Sequence, residues 1–145
     1  EKDPTKNRQA KAVEPFFSSP GQQFVPYPPG LFDTVMYIHE KYRGVDIYIT
    51  ENGCALRNQN DMEKETDDPE RISYIREHLR ACSRAIRCGV NLIGYCYWSV
   101  MDCWESGMGY GYPMGLIAIN FDTLERIPRE SFYYYQKVIA ANAVD

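Results

Sequence analysis

The chain has 145 residues, of which 44% are hydrophobic and 25% are charged, and this balance is typical of an ordinary globular protein. Its formal net charge of −4 at pH 7 argues against nucleic acid or an acidic membrane surface as a partner. No run of apolar residues reaches transmembrane length, so we expect no membrane partner.

The sequence divides into two regions of different character. Residues 1–29 are polar and carry six prolines and one glycine, which predicts a loop or a ragged N-terminal segment rather than a domain. Residues 30–145 are predicted to form α/β units. The first predicted helix runs from about Leu31 to Tyr42.

A short strand is predicted next. Val45, Ile47, Tyr48 and Ile49 favour a buried strand, and residues 52–53 (Asn-Gly) end it. Glu51 is therefore placed at the carboxyl end of a strand, the end that carries the catalytic groups in β/α barrels. The alternative is that Glu51 is only a solvated residue at a strand end.

A helix is predicted after this strand because apolar positions recur at helical spacing. The positions predicted to be buried are Ile72, Ile75, Leu79, Cys82 and Ile86. The positions placed largely outside that face are Arg71, Arg76, Glu77, Arg80 and Arg84.

A second apolar run, residues 92–98, follows the helix and leads into a polar segment that contains Glu105. Strand, helix and strand form a βαβ unit, in which the strands are parallel and the crossover is right-handed. Both carboxyl ends then lie at one edge of the sheet. We therefore expect Glu51, Trp98 and Glu105 to converge there.

The last part of the chain predicts two further elements. Residues 116–121 are predicted to form a short strand with Ile117 and Ile119 on one face. Pro128 is predicted to begin the last helical segment, with a helix from Glu130 to about Ala141.

The five cysteines have neither the number nor the spacing of a zinc ribbon or a redox pair. Cys82 and Cys96 are predicted to be small core residues, and reduced thiols favour a cytoplasmic setting over secretion. His39 and His78 have no metal-ligand companion four residues later. No metal site and no cofactor is therefore predicted.

Residues 49–53 (Ile-Thr-Glu-Asn-Gly) resemble the nucleophile motif of family 1 glycoside hydrolases, the retaining β-glucosidase group. The resemblance continues in register over much of the chain from Gly30 onward. The matching positions include Asp68, Arg71, Tyr74, His78, Leu79, Gly89, Val90, Gly94, Tyr95, Trp98, Ser99, Asp102, Glu105, Gly109, Tyr110, Gly115, Leu116, Arg126, Pro128, Ser131 and Tyr135.

This resemblance implies the C-terminal part of a (β/α)8 TIM barrel, namely its last two strands with flanking helices. A complete barrel needs about 250 residues. We therefore expect the N-terminal remainder of the barrel, in the same chain or a second chain, as a partner. The family's acid/base motif, Thr-x-Asn-Glu-Pro, is absent from these residues, since residues 14–15 (Glu-Pro) follow no predicted strand.

The resemblance also implies roles for individual side chains. Glu51 is the expected nucleophile, Trp98 is expected to stack on the sugar, and Glu105 is expected to accept hydrogen bonds from its hydroxyl groups. The family usually has Asp-Asn-Phe-Glu-Trp where residues 102–106 are Asp-Cys-Trp-Glu-Ser. Trp104 is therefore a candidate to replace the missing second indole.

The resemblance also bears on the sugar. The 6-phosphoglycosidase branch carries Ser where Glu105 stands and basic residues near positions 112 and 113. Tyr112 and Pro113 supply no cation. The expected substrate is a β-glucoside or a related neutral sugar.

Two other functions are compatible with the sequence. One is a sugar-binding pseudoenzyme, or a thioglucosidase-like protein, that lacks the acid/base carboxylate. The other is a non-catalytic structural fragment. The isolated chain is expected to be inactive and to leave Ile47, Ile49, Tyr95 and Tyr97 without partners on at least one side.

Overall fold

The computed structural model describes residues 26–55, 66–106 and 109–145. Its elements, in chain order, are α1 (Pro28–Lys41), β1 (Ile47–Asn52), α2 (Pro69–Arg87), β2 (Leu92–Tyr97), β3 (Ile117–Ile119), β4 (Arg126–Pro128) and α3 (Glu130–Ala141). The predicted loop at residues 1–29 falls mainly outside the described residues. Helix α1 begins at Pro28, before the predicted start at Leu31, because a proline is favourable in the first turn of a helix.

Strands β1 and β2 form a parallel two-stranded sheet, with Ile49 beside Tyr95 and Asn52 beside Tyr97. The predicted βαβ unit is therefore confirmed, and the carboxyl ends of both strands lie at the same edge. Register shifts interrupt the pairing after Ile47 and again between Ile49 and Asn52.

Helices cover one face of this sheet with two apolar clusters. Ile47 packs with Val35 of α1 and Ala85 of α2, while Tyr97 packs with Tyr74 and Ile75 of α2. We call this the covered face, and the opposite one the open face. Burial of the apolar side chains on the covered face is the main driving force that holds these elements together.

The expected position of the uncovered residues was wrong. Ile47 and Tyr97 are buried, and Ile49 and Tyr95 pack against the same clusters. The open face instead exposes Tyr48 and Ile93, whose exposed fractions are 53% and 58%. Side chains of a strand normally alternate between the two faces, but a register shift at Ile93, between Leu92 and Gly94, interrupts this alternation. An apolar run alone therefore does not show which of its members the helices cover.

The buried face of α2 also differs from the prediction. Ile75 and Cys82 are buried as predicted, but Ile86 is 51% exposed and Arg71 is completely buried. The buried residues are Arg71, Tyr74, Ile75, His78, Ala81, Cys82 and Ala85. This stripe has helical spacing, but the prediction used only apolar residues and therefore missed the two core positions occupied by Arg71 and His78.

Strands β3 and β4 form an antiparallel hairpin, in which Ala118 lies opposite Ile127. The strand β3 is confirmed over the shorter range Ile117–Ile119, and the range of α3 is confirmed, but Pro128 ends β4 instead of beginning the last helical segment. The strand β4 was missed because a three-residue strand that ends in proline gives little apolar signal. Backbone hydrogen bonds from Leu116 N to Ser99 O and from Ile117 N to Val100 O attach the hairpin to the segment that follows β2.

The part of the chain that the structure describes contains no helix long and apolar enough to cross a membrane. All five cysteines are free thiols, and Cys54 and Cys82 are buried.

Candidate active site

Glu51 is the second-last residue of β1, and its side chain is exposed. The next residue, Asn52, ties this strand end to β2, because its carbonyl accepts a hydrogen bond from Trp98 N at 3.0 Å. Its side-chain Oδ1 accepts another from Tyr95 Oη at 2.7 Å. Glu51 thus stands on a strand end whose direction is fixed by one contact with β2 and one with the residue that follows β2.

Gly53 permits the two strand ends to come this close. A Cβ atom at this position would lie 1.7 Å from the carbonyl oxygen of Trp98, which is far inside van der Waals contact. Any side chain here would push the two segments apart. The glycine that ends the strand motif is therefore required by packing.

Trp98 follows β2 directly and contacts Glu105. Its indole Nε1 donates to Glu105 Oε1 at 3.2 Å, and the residue is 38% exposed. The peptide bond between Trp98 and Ser99 is cis. An exposed ring thus lies beside a carboxylate.

The backbone of Glu105 is held in a small loop. Glu105 and Gly109 exchange two backbone hydrogen bonds, at 2.9 and 2.8 Å. Cys103 supplies a further contact, since its Sγ donates to Glu105 Oε1 at 3.2 Å. Among the described residues, Oε2 of Glu105 makes no hydrogen bond.

Trp104 is 59% exposed. Its indole nitrogen lies near Gly109, 3.9 Å from the position that a Cβ atom would take there. The described contacts do not join it to Trp98 or Glu105. Its role in sugar binding stays a prediction.

A buried arginine lies behind the strand ends. Arg71, in the first turn of α2, donates through NH1 to the Cys54 carbonyl at 3.0 Å and to Tyr97 Oη at 3.0 Å. It also donates to the carbonyls of Met114 and Pro113, at 2.7 and 3.1 Å. One guanidinium group therefore connects the loop after β1, the end of β2 and the segment before β3.

Asp68 balances the charge of Arg71. Its Oδ2 lies 2.8 Å from Arg71 Nε, and the side chains are 2% and 0% exposed. The same carboxylate accepts hydrogen bonds from the backbone N and Oγ of Ser131, at 2.9 and 2.6 Å. Asp68 thus joins the N-termini of α2 and α3, where a negative charge is also favoured by both helix dipoles.

A second buried ion pair supports the Glu105 segment. Arg129 binds both carboxylate oxygens of Asp102, at 3.0 and 2.9 Å, and also donates to the Gly115 carbonyl at 2.7 Å. The Gly115 N–H donates to the same carboxylate at 2.8 Å. Asp102 is therefore fixed three residues before Glu105, by the geometry in which arginine binds a carboxylate most specifically.

Burial keeps the tyrosine hydroxyl groups and the Cys54 thiol behind the strand ends neutral. It raises the pKa values of the Tyr74, Tyr95 and Tyr97 hydroxyls and raises that of the Cys54 thiol to about 11. These groups are unsuited to proton transfer near neutral pH.

The structure brings together Trp98 and Glu105, as expected, and places Glu51 at the neighbouring strand end. Three supporting features were missed from the sequence: the Arg71–Asp68 pair, the Arg129–Asp102 pair and the contact of Cys103 with Glu105. A signal for the first was present, because Asp-Pro-x-Arg at residues 68–71 places an acid at the N-cap and an arginine one turn later. The described residues contain no group of three or more ligating side chains that could hold a metal ion.

A comparison with known families decides the classification. The model of the family described as glycosyl hydrolase family 1 matches residues 1–144. The chain belongs to this family. The match extends further toward residue 1 than the resemblance, which ran from Gly30 onward.

Relatives of this family 1 chain include two types of glycosidase. β-Glucosidase A of Acetivibrio thermocellus is 36% identical over 133 residues, which cover 92% of this chain and 30% of that protein. A 6-phospho-β-galactosidase of Staphylococcus haemolyticus is 41% identical over 120 residues, which cover 81% of this chain and 26% of that protein.

A solved structure agrees with this family assignment. The family 1 β-glucosidase of Thermotoga maritima matches with a TM-score of 0.79 and 31% identity, over 84% of this chain and 28% of that one. The family 1 chain thus spans between a quarter and a third of the length of these relatives. The predicted partial TIM barrel is confirmed.

Proposed function

We propose that the whole protein to which these residues belong hydrolyses the β-glycosidic bonds of neutral sugars, chiefly β-glucosides, with retention of configuration. Membership of glycosyl hydrolase family 1 supports a glycosidase, and β-glucosidases are among the relatives. The observation that carries the proposal is the meeting of two strand ends, where the Trp98 N–H binds the carbonyl of Asn52, next to Glu51.

In this proposal Glu51 is the nucleophile. Its carboxylate attacks the anomeric carbon, the bond to the leaving oxygen breaks, and a covalent glycosyl-enzyme forms. Water then breaks this ester and releases the sugar with its original configuration. The contacts of Asn52 with Tyr95 and Trp98 limit the motion of the strand end, which favours a defined line of attack.

The second carboxyl group comes from the N-terminal remainder of the barrel, the proposed partner of these residues. It protonates the leaving oxygen in the first step and deprotonates the attacking water in the second. In a retaining enzyme it lies about 5–5.5 Å from the nucleophile. The remaining barrel segment therefore has to face the carboxyl ends of β1 and β2.

Trp98 and Glu105 hold the sugar in this proposal. The exposed indole of Trp98 stacks on the face of the ring that carries C–H groups, and Glu105 Oε2 accepts hydrogen bonds from sugar hydroxyl groups. Trp104 offers a further exposed aromatic surface next to this loop.

The charges near Glu105 favour a neutral sugar. A phosphate group would be repelled by the carboxylate of Glu105, and Tyr112 and Pro113 bring no positive charge. Arg71 reaches the carbonyl of Pro113, but its guanidinium is buried and already bound to five groups.

A second candidate function is the hydrolysis of 6-phosphorylated β-galactosides. It is favoured by one observation, the 41% identity to the 6-phospho-β-galactosidase of Staphylococcus haemolyticus. The two candidates differ in the charge of the preferred sugar, which is neutral in the first and negative in the second. Substrate choice therefore separates them.

The test uses a complete barrel, in which an N-terminal segment of a family 1 relative that carries Thr-x-Asn-Glu-Pro is joined to this chain. We call this protein the completed enzyme. Its kcat/KM is measured on a nitrophenyl β-glucoside, the corresponding β-galactoside and their 6-phosphates. We expect a clear preference for the neutral sugars, and a preference for the phosphorylated sugars would establish the second candidate.

A substitution at Glu105 tests its role in recognition. Glu105→Ala should weaken binding of the neutral sugar by about 1–3 kcal/mol, because its hydroxyl groups lose a charged acceptor. The matched control is Glu125→Ala, an exposed carboxylate in the turn between β3 and β4, which should leave kcat/KM unchanged. Equal effects of the two variants would exclude Glu105 from the sugar site.

A further inference from the structure

Oxygen Oε1 of Glu105 receives two hydrogen bonds from within the protein. Trp98 Nε1 and Cys103 Sγ each lie 3.2 Å from it. An ionised carboxylate can only accept hydrogen bonds, so both neighbours must be donors. The thiol of Cys103 thus holds the orientation of a group that the proposed function assigns to sugar recognition.

We propose that Cys103 is a positioning residue for sugar binding: its thiol proton holds Oε1 of Glu105 and leaves Oε2 for the sugar. This inference rests on the proposed function of Glu105. Cys103 itself need not touch the sugar. Its effect passes through the carboxylate two residues later.

The surroundings of Cys103 direct its proton toward Glu105. The other neighbour of the thiol is Ser99 Oγ, at 3.9 Å, which is 0.7 Å farther away than Glu105 Oε1. Ser99 is itself buried, and its hydroxyl donates to the carbonyl of Met101 at 2.7 Å. A carboxylate is also a stronger acceptor than a hydroxyl group.

Both ends of the segment 102–105 are held by hydrogen bonds. The contact of Cys103 can therefore fix the direction of the Glu105 side chain. Asp102 is held by Arg129 on one side of Cys103, and Glu105 is held by its two backbone hydrogen bonds to Gly109 on the other. The remaining freedom lies in the side chain of Glu105. The two donors to Oε1 restrict that freedom before the sugar arrives.

This contact has a consequence for pH dependence. Burial and the neighbouring Glu105 raise the pKa of the Cys103 thiol above its ordinary value, and Asp102, which is paired with Arg129, raises it further. The thiol therefore remains a donor at neutral pH. At strongly alkaline pH it loses its proton, and the thiolate then repels Glu105.

The test compares three variants of the completed enzyme with the unsubstituted protein on a nitrophenyl β-glucoside, from neutral to alkaline pH. Cys103→Ala should raise KM about three- to tenfold with little change in kcat, because one donor to a charged group is lost. Cys103→Ser should keep the KM of the unsubstituted enzyme at neutral pH and lose the alkaline rise in KM, since a serine hydroxyl does not ionise there. The control is Cys88→Ala, an exposed cysteine at the end of α2, which should change nothing.

These outcomes separate the inference from the proposed function. If the completed enzyme turns over the glucoside and Cys103→Ala leaves KM unchanged at every pH, the inference is overturned. If no glucoside is turned over, the proposed function fails. The contact between Cys103 and Glu105 is then tested by the pKa of the Cys103 thiol alone. In that case Glu105→Gln should lower the pKa of Cys103, measured by mass spectrometry as the pH dependence of its alkylation by iodoacetamide, and an unchanged pKa would overturn the inference.

Discussion

The covered and open faces of the β1–β2 sheet differ in where they place charge. On the covered face, the buried guanidinium of Arg71 is bound by a carboxylate, a hydroxyl group and three backbone carbonyls. At the carboxyl edge of the sheet, Glu51 is exposed and Glu105 keeps one oxygen unused among the described residues. The open face carries exposed apolar residues, Tyr48 and Ile93.

This difference indicates that the buried charges and the exposed groups have separate roles. Buried charges with all their hydrogen bonds made fix the loops and strand ends, because an unpaired buried charge would be very costly. The exposed carboxylates at the strand ends and the exposed apolar residues of the open face remain available to bind other groups. In the proposed enzyme these are the sugar and the rest of the barrel.

The largest effect on stability is expected from removing Arg71, whose hydrogen bonds connect the elements on the covered face. Arg71→Met in the completed enzyme should lower the free energy of unfolding by about 3–5 kcal/mol, because Asp68 is left as a buried, partly unpaired charge. Denaturation by urea measures this loss. The matched control is Arg80→Met on the same helix, whose ion pair with Glu77 is exposed and should contribute less than about 1 kcal/mol.

Similar losses for the two arginine variants would contradict the structural role assigned to Arg71. Arg71→Met should also reduce activity, because the loop after β1 and the end of β2 lose their common anchor.

Polar substitutions on the open face are expected to have opposite effects in the isolated chain and in the completed enzyme. The isolated chain should be inactive and should aggregate or remain molten, and the double variant Tyr48→Thr with Ile93→Thr should make it more soluble. In the completed enzyme the same face lies inside the barrel, so the double variant should destabilise it by about 2–5 kcal/mol. Sedimentation of the isolated chain and urea denaturation of the completed enzyme measure the two effects.

Ile47→Thr is the control for the open face. It lies on the covered face and should destabilise both proteins. An isolated chain that is monodisperse, melts cooperatively and hydrolyses glycosides would refute the division between the two faces.

A smaller effect, on the pH dependence of stability, is expected from His78, which is buried on the covered face. Its ring stacks on Tyr74 with 3.9 Å between centroids, and Nδ1 donates to the Tyr74 carbonyl at 2.8 Å. Burial lowers the pKa of His78 below its ordinary value of 6.5, although the Tyr74 carbonyl and Glu77 raise it. The unfolded chain therefore binds a proton more readily as the pH falls below about 6.5.

Stability due to neutral His78 is accordingly present above about pH 6.5 and is lost as the pH falls toward the lower pKa of the folded state. His78→Gln should make the free energy of unfolding less dependent on pH in this range, as measured by urea denaturation at a series of pH values. His39→Gln, on α1, should keep the dependence of the unsubstituted protein. A steeper dependence in His78→Gln would show that His78 is charged in the folded state.

Much of the fold followed from simple patterns. Two apolar runs separated by a helical period predicted the parallel βαβ unit, and the turn residues after Ile49 located the strand end that carries Glu51. The buried stripe of α2 was only partly predicted, because Arg71 and His78 occupy core positions that a count of apolar residues cannot recognise. Arg71 finds partners in distant loops, whereas His78 contacts Tyr74 on the same helix.

The candidate site was predictable in outline only. The motif at residues 49–53 and the resemblance to family 1 pointed to Glu51, Trp98 and Glu105. The contact between Cys103 and Glu105 could not be foreseen, because side-chain directions in an irregular segment follow no period. The pairing of Asp102 with Arg129 joins positions that are 27 residues apart, and only the hairpin of β3 and β4 brings them together.

The central claim is that Glu51 is the nucleophile, and covalent labelling tests it most directly. The completed enzyme is incubated with a 2-deoxy-2-fluoro β-glucoside that carries a good leaving group, and its peptides are examined by mass spectrometry. We expect one fluoroglucosyl ester, on Glu51, and no label in Glu51→Gln, which should also lose turnover while keeping its fold. A label on another residue, or no label in an enzyme that turns over glucosides, would contradict it.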